Sequence, residues 1–403
     1  MKRLAFALAI SLALPATAQD ITEAEMRAFH NSLFTLDSHI DIAGDFMTAS
    51  LDPGGLNRAQ VNLPGMRIGG LDGGFFIVYT RQSPNTDDGI AEMRAMAEAR
   101  YRALERMFLA YPDQIALATT ADEAEEIHAS GRLVALMGME NAAGLGDSID
   151  DVPMWADRGI RYVSLTHFGH NLFSGSSNPR PEYDDAPEDP GLSDLGSDLI
   201  AALNDHGIMV DISHVGKVSS MEAIELSRTP VIASHSTVKA VHDNARGLDD
   251  EQLRAIAEMG GVAQITAFRS YIAPVDEGLT AAIGELRDRL GLLNSADFST
   301  ASPATLEEYA RERDSLRDEF PDVTLDQFLD HLDHAVEVAG IDHVGLSGDF
   351  DGGGGVDGWD AAADSFNVTR ALLERGYSEE DIRKIWGENL LRVLRATEEA
   401  AVR

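Results

Sequence analysis

Eight apolar runs recur along the chain, at 33–41, 73–80, 133–141, 160–167, 208–215, 230–236, 262–268 and 344–349, and each is nearly continuous rather than alternating. Continuous apolar strands belong to sheets covered on both faces. Between them lie stretches with the 3.6-residue period of helices, at 88–110, 194–205, 219–226, 249–259, 325–339 and 378–396. Strands alternating with helices predict a parallel sheet, and eight such units suit a closed (β/α)8 TIM-like barrel better than an open sheet. The interval 272–322 exceeds an ordinary connection, so a helical insertion is predicted there, with helices near 279–292 and 303–319. The absence of internal repeats and low-complexity linkers favours a single domain over residues 19–403.

The first residues have a different pattern. Lys2 and Arg3 precede an apolar stretch from Leu4 to Leu14, and Ala16, Thr17 and Ala18 supply the small residues behind which a signal peptidase cuts. The stretch is too short to span a bilayer, which takes about 20 apolar residues. Residues 1–18 are therefore expected to be a signal peptide, and the mature chain to be periplasmic or secreted. The C-terminus, Glu398 to Arg403, carries no apolar tail, so no stable membrane anchor is expected.

Composition narrows the function classes. The chain has 68 acidic and 32 basic residues and a formal charge of −36. Nucleic acid is excluded as a partner, because phosphate binding needs basic patches. With no cysteine, an exported protein has no disulfides and must be held by its core alone.

Four of the apolar runs end in potential metal ligands: LDSHID at 36–41, LVALMGME at 133–140, IMVDISH at 208–214 and VIASH at 231–235. They offer His39, Asp41, Glu140, His214 and His235, an imidazole and carboxylate set suited to zinc. His39 and Asp41 are two apart and so face the same side of a strand. Glu140 closes an apolar run in which an unpaired carboxylate would be costly to bury, and a bridging place between two cations would explain it. In barrels of this kind catalytic groups come from the C-terminal ends of strands, where these residues fall. Each taken singly could be a hydrogen-bonded core residue or an exposed strand end. Their joint register argues for a two-metal hydrolytic site.

The runs LDSHID, NLPGMRIGGLDGGFF, GMEN, RYVSLTH, VDISHVG, PVIASHS and VGLSGDFDG, in this order, resemble the successive signatures of the membrane or renal-type dipeptidases, zinc exopeptidases on an amidohydrolase-like barrel. The likeness extends from Leu33 to Arg395. It implies that His39 and Asp41 bind one zinc, His214 and His235 a second, and Glu140 bridges the two. It also implies a substrate-facing His167, an Arg246 that holds the substrate carboxylate, Asp349 as the proton-transfer group, and a homodimer.

These roles have physical rationales. Two bridged zinc ions would lower the pKa of a shared water and supply hydroxide near neutral pH. Asp349 could take that water's proton and pass it to the departing amine, and His167 could donate to the developing oxyanion. The planar fork of Arg246 suits a carboxylate, with Tyr271 as a further candidate partner. The remaining eight histidines read as surface or packing residues, although His331 and His334 share a helix face. The expected activity is hydrolysis of dipeptides. Two alternatives stay open: a dinuclear zinc hydrolase of another small amide or lactone, and a non-enzymatic metal or solute binder.

Overall fold

A computed structural model of the protein describes residues 21–293 and 295–402. The expected signal peptide, residues 1–18, lies outside the described residues. Eight parallel strands form the sheet: β1 Leu36–Ile40, β2 Gly73–Tyr79, β3 Leu133–Glu140, β4 Ile160–Ser164, β5 Met209–Asp211, β6 Ile232–Val238, β7 Val262–Thr266 and β8 Val344–Ser347. Each pairs with the next in order. The ends meet through a bridge between Ile40 and Phe350, with the Asp41 N–H donating to the Phe350 carbonyl at 2.9 Å. The result is a nearly closed (β/α)8 barrel.

The apolar runs become strands because both of their faces are covered. Phe75, Ile77, Val134, Leu136, Tyr162 and Met209 pack together with Leu390, Val393 and Leu394 of the C-terminal helix. Residues of the other parity, among them Phe76, Val78, Met137 and Val210, join the larger core that includes the surrounding helices. Tyr162 crosses the interior from β4 to reach the Ser38 carbonyl of β1 at 3.1 Å. A Cβ at Gly138 would lie 2.4 Å from its ring, so that position must be glycine.

Several helices begin at polar caps written in the sequence. Ser193 caps Asp194–Asp205, and Thr324 and Gln327 form a capping box on Leu325–Ala339. The segment between β7 and β8 holds helices Glu277–Leu290, Ser295–Thr300 and Pro303–Glu319 around a small core of Leu286, Leu292 and Tyr309.

The structure departs from the pattern in three ways. Two short strands, Ile115–Leu117 beside β3 and Gly247–Leu248 beside β6, are too brief to show a period. The helix expected at 378–396 is interrupted by a π-helical turn at Lys384–Glu388, where Trp386 donates to Thr369 Oγ1 at 2.8 Å. Most strands are also shorter than their apolar runs. Thus His167, His214 and Asp349 lie in the turns beyond β4, β5 and β8, whereas His235 lies inside β6. His214 and Asp349 have positive φ, 66° and 49°, which ends a ladder and is a strain commonly found at functional sites.

Candidate active site

At the C-terminal mouth of the barrel, His39, Asp41, Glu140, His214 and His235 converge from four strands, with His167 and Asp349 beside them. Three sets of potential ligand atoms each fall within 4.8 Å of one another: His39, Glu140 and His235; Glu140, His167 and His214; and His39, Asp41 and Asp349. Glu140 stands between the first two. Its Oε2 is 3.6 Å from His39 Nε2, while its Oε1 is 3.1 Å from His214 Nε2 and 3.4 Å from His235 Nε2. Asp41 Oδ2 lies 3.6 Å from the same His39 nitrogen.

Hydrogen bonds behind the ring set the tautomers. Tyr162 Oη donates to the Ser38 carbonyl, so it accepts from His39 Nδ1 at 2.8 Å, and the lone pair of His39 Nε2 is directed into the cluster. Ser234 Oγ donates to Asp211 Oδ2 at 2.6 Å and therefore accepts from His235 Nδ1 at 2.8 Å, with the same result for His235. His39 Nε2 is buried without a hydrogen-bond partner among the described residues. The Nε2 atoms of His214 and His235 stand 2.8 Å apart. A cation shared by these lone pairs and by the flanking carboxylates satisfies all of them, so the residues fit a metal centre.

Electrostatics follow the same division. Burial alone would raise the Glu140 carboxyl, but the imidazoles of His167, His39, His214 and His235 hold it well below the usual range. Burial disfavours a charged His39, yet in the metal-free site Glu140 and Asp41 raise its pKa well above that of a free imidazole, so a cation would bind at Nε2 in exchange for a proton. Burial pushes His214 and His235 well down, leaving them neutral as ligands must be. Asp349 is pushed well up, first by burial and then by Asp41 and Glu140.

His167 Nε2 is 3.7 Å from Glu140 Oε1, and burial lowers its pKa so that the ring is neutral. Arg246 is buried, 4% exposed, and donates from Nη2 to the His235 carbonyl at 2.8 Å, while its Nε has no partner among the described residues. Its guanidinium carbon lies 5.5 Å from the centre of the Tyr271 ring. Tyr271 in turn stacks on Phe268 at 4.1 Å. Arg246 also lines a cavity of about 270 Å³ that contains Ser176, Lys217, Ser236 and Lys239.

Sequence reasoning missed the residues behind the site. Asp37 accepts from the N–H groups of His39 and Gly348, both at 3.0 Å, and burial lifts it to about 7. Asp211 binds the Ser213 and Ser234 N–H groups and is lifted by burial to about 6. The available signal was an acidic residue inside an apolar strand in both LDSH and VDISH, which has no solvent face to occupy. Tyr79, at the end of β2, packs edge-on to His167 at 5.1 Å, and Arg100 donates to the Ile42 carbonyl beside Asp41. The other histidines flagged on one helix face separate: His331 is fully buried and His334 pairs with Asp250 at 2.8 Å.

Comparison with known proteins agrees with this architecture. Residues 23–403 match the family model of the membrane dipeptidases, peptidase family M19. The chain belongs to this family. It is 31% identical over 299 residues to the dipeptidase tcpJ of Claviceps purpurea, a match covering 74% of this chain and 59% of that protein. Against the dipeptidase aclJ of Aspergillus oryzae it is 28% identical, with 85% and 71% covered. The crystal structure of the probable dipeptidase PvdM from Pseudomonas aeruginosa superposes with a TM-score of 0.82 at 31% identity, covering 94% of this chain and 98% of the other. A Rhodobacter sphaeroides metallo peptidase, solved with a phosphinate mimic of the dipeptide L-Ala-D-Ala, shares the fold at a TM-score of 0.68 and 24% identity, with 91% and 99% covered.

Proposed function

We propose that this chain is a zinc-dependent dipeptidase that holds two metal ions at the barrel mouth. His39 and Asp41 would bind one, His214 and His235 the other, and Glu140 both. The observation that carries the reading is the division of Glu140, with one oxygen facing His39 and the other facing His214 and His235. Bound there, the metals would supply Lewis-acid chemistry, lowering the pKa of water and polarising a carbonyl.

The remaining work falls to the chain's own groups. Asp349, ionised once bound cations offset the charges of Asp41 and Glu140 that push it up, accepts the proton of the attacking water and passes it to the departing amine. The neutral His167 ring donates a hydrogen bond where negative charge develops on the carbonyl oxygen. Arg246 holds the free carboxylate of the C-terminal residue, with the Tyr271 ring against its guanidinium.

The test is substrate length and charge. Losing a charge-assisted contact to Arg246 costs about 1.5 to 3 kcal/mol, or roughly ten to a hundred and fifty fold in kcat/KM. A dipeptide should therefore outrun its C-terminal amide and the matching tripeptide by that factor, and Arg246→Ala should narrow the gap. Equal kcat/KM on all three would reject a dipeptidase in favour of a hydrolase of other small amides or lactones.

A further inference from the structure

The short helix Arg269–Ile272 carries Tyr271 against Arg246, but it also carries a second buried side chain outside the ligand cluster. Arg269 is 7% exposed. Its Nε lies 2.9 Å from both carboxylate oxygens of Asp322, its Nη2 donates to Asp360 Oδ1 at 2.7 Å, and its Nη1 donates to the Gly355 carbonyl. Arg317, on the last long helix of the insertion, adds a contact to Asp360 at 3.4 Å. One guanidinium thus joins the end of the insertion to the loop that leaves β8 with Asp349.

That loop does not hold itself. Asp349 and Asp351 sit at positive φ, 49° and 62°, as do Gly353 and Gly355. Non-glycine residues are strained there, so contacts must fix them. The Gly354 N–H donates to the Asp349 carbonyl at 2.8 Å and the Gly355 N–H to the Gly348 carbonyl at 3.1 Å. Fixing Gly355 therefore fixes the backbone on either side of the Asp349 side chain. On the other flank Gln60 donates to the Gly354 and Asp360 carbonyls and accepts from the Asp351 N–H. The end of the insertion also meets the loop through the backbone, with the Asp357 N–H donating to the Val323 carbonyl and the Leu325 N–H to the Asp357 carbonyl, both at 2.8 Å. Among the described residues, however, Arg269 is the side chain that hydrogen-bonds both Asp322 and the Gly355 carbonyl.

We propose that Arg269 is a positioning residue for Asp349, and that through it the helical insertion sets the aim of the proton-transfer carboxylate. The proposal rests on Asp349 carrying the proton, as the dipeptidase reading has it. Arginine is required because its planar fork sends separate donors to three acceptors, whereas lysine keeps the charge on one nitrogen and cannot reach them together.

The experiment uses metal-loaded, full-length Arg269→Lys, Asp322→Asn and Asp349→Asn, with Arg289→Ala as a control. Among the described residues Arg289 pairs with Glu308 and Glu312, both within the insertion. Arg269→Lys should lose about tenfold to a hundredfold in kcat, the scale of a misplaced catalytic group, with KM within about threefold and metal content unchanged. Asp322→Asn should fall in the same direction by less, and Arg289→Ala should match wild type. An aryl ester analogue, whose phenolate leaves without needing a proton, should shrink the loss in Arg269→Lys and Asp349→Asn alike. A merely structural Arg269 would lower peptide and ester turnover equally, and that result overturns the proposal. Normal kcat in Arg269→Lys with a deep loss in Asp349→Asn also overturns it while leaving the dipeptidase reading intact. Normal kcat in both removes Asp349 from the mechanism and takes the proposal with it. If Arg269→Lys does not fold, Asp322→Asn carries the same comparison.

Discussion

His214 Nε2 and His235 Nε2 lie 2.8 Å apart, and Glu140 Oε1 is within 3.4 Å of both. Since Ser234 fixes the His235 proton on Nδ1, the inward face of this group offers the His235 lone pair and a carboxylate, with His214 free to turn its own lone pair inward, a set suited to a cation.

Because Glu140 faces His39 as well as this pair, Glu140→Gln should weaken metal at both positions, whereas His214→Ala should empty chiefly one. Metal analysis of the zinc-reconstituted protein should approach two ions per chain in wild type and about one in His214→Ala. Chelation should lower the melting temperature, since metal that binds only the folded state stabilises it by mass action. Full metal content in Glu140→Gln would remove it from the bridge.

The Asp211, Ser234 and His235 relay makes a separate prediction away from the reacting atoms. Ser234→Ala removes the acceptor of the His235 Nδ1–H and leaves Asp211 without one of its donors. Loss of such a partner typically weakens a site by about 10 to 100 fold in metal affinity. A competing chelator titrated against the variant and wild type measures it. Equal affinities would show that β6 alone fixes the ring.

The barrel was legible because strands buried on both faces are written as continuous apolar runs, and the candidate ligands were legible because each interrupts the end of such a run. What was hidden depends on groups distant in sequence. Asp211 and Ser234 meet only because β5 and β6 are neighbours, and Arg269 finds its partners at Asp322, Gly355 and Asp360. The left-handed turns at His214 and Asp349 were invisible too, since the apolar pattern carries no sign of φ. The π-helical turn in the C-terminal helix is likewise tertiary in origin. Just after it, the Asn389 amide donates to the Ile341 and Val344 carbonyls at 2.7 and 2.9 Å, anchoring the helix beneath β8.

A histidine read only as packing offers the last test. His331 is fully buried in the helix Leu325–Ala339, accepting from the Val238 N–H at Nδ1, 3.1 Å away, and donating from Nε2 to the Ile272 carbonyl at 2.9 Å. Burial lowers its pKa, with His242 and His334 acting in the same direction and the hydrogen bond to the Ile272 carbonyl, then Asp330, opposing them. A proton on Nδ1 would also confront the Val238 N–H. The folded state therefore stays neutral where the unfolded imidazole, near 6.5, takes up a proton. Between the folded pKa and about 6.5 the unfolded chain binds more protons, so this residue's contribution is present above that range and is lost as pH falls through it. Urea unfolding of metal-free wild type and His331→Gln from about pH 7.5 to about pH 5.5 isolates the effect, because the other titrating groups are common to both. Wild-type stability should fall more steeply with acid, by up to about 1.4 kcal/mol per pH unit, than that of the variant. Parallel slopes would mean that His331 takes up its proton equally in the folded and unfolded states, and would overturn its assignment as a neutral buried ring.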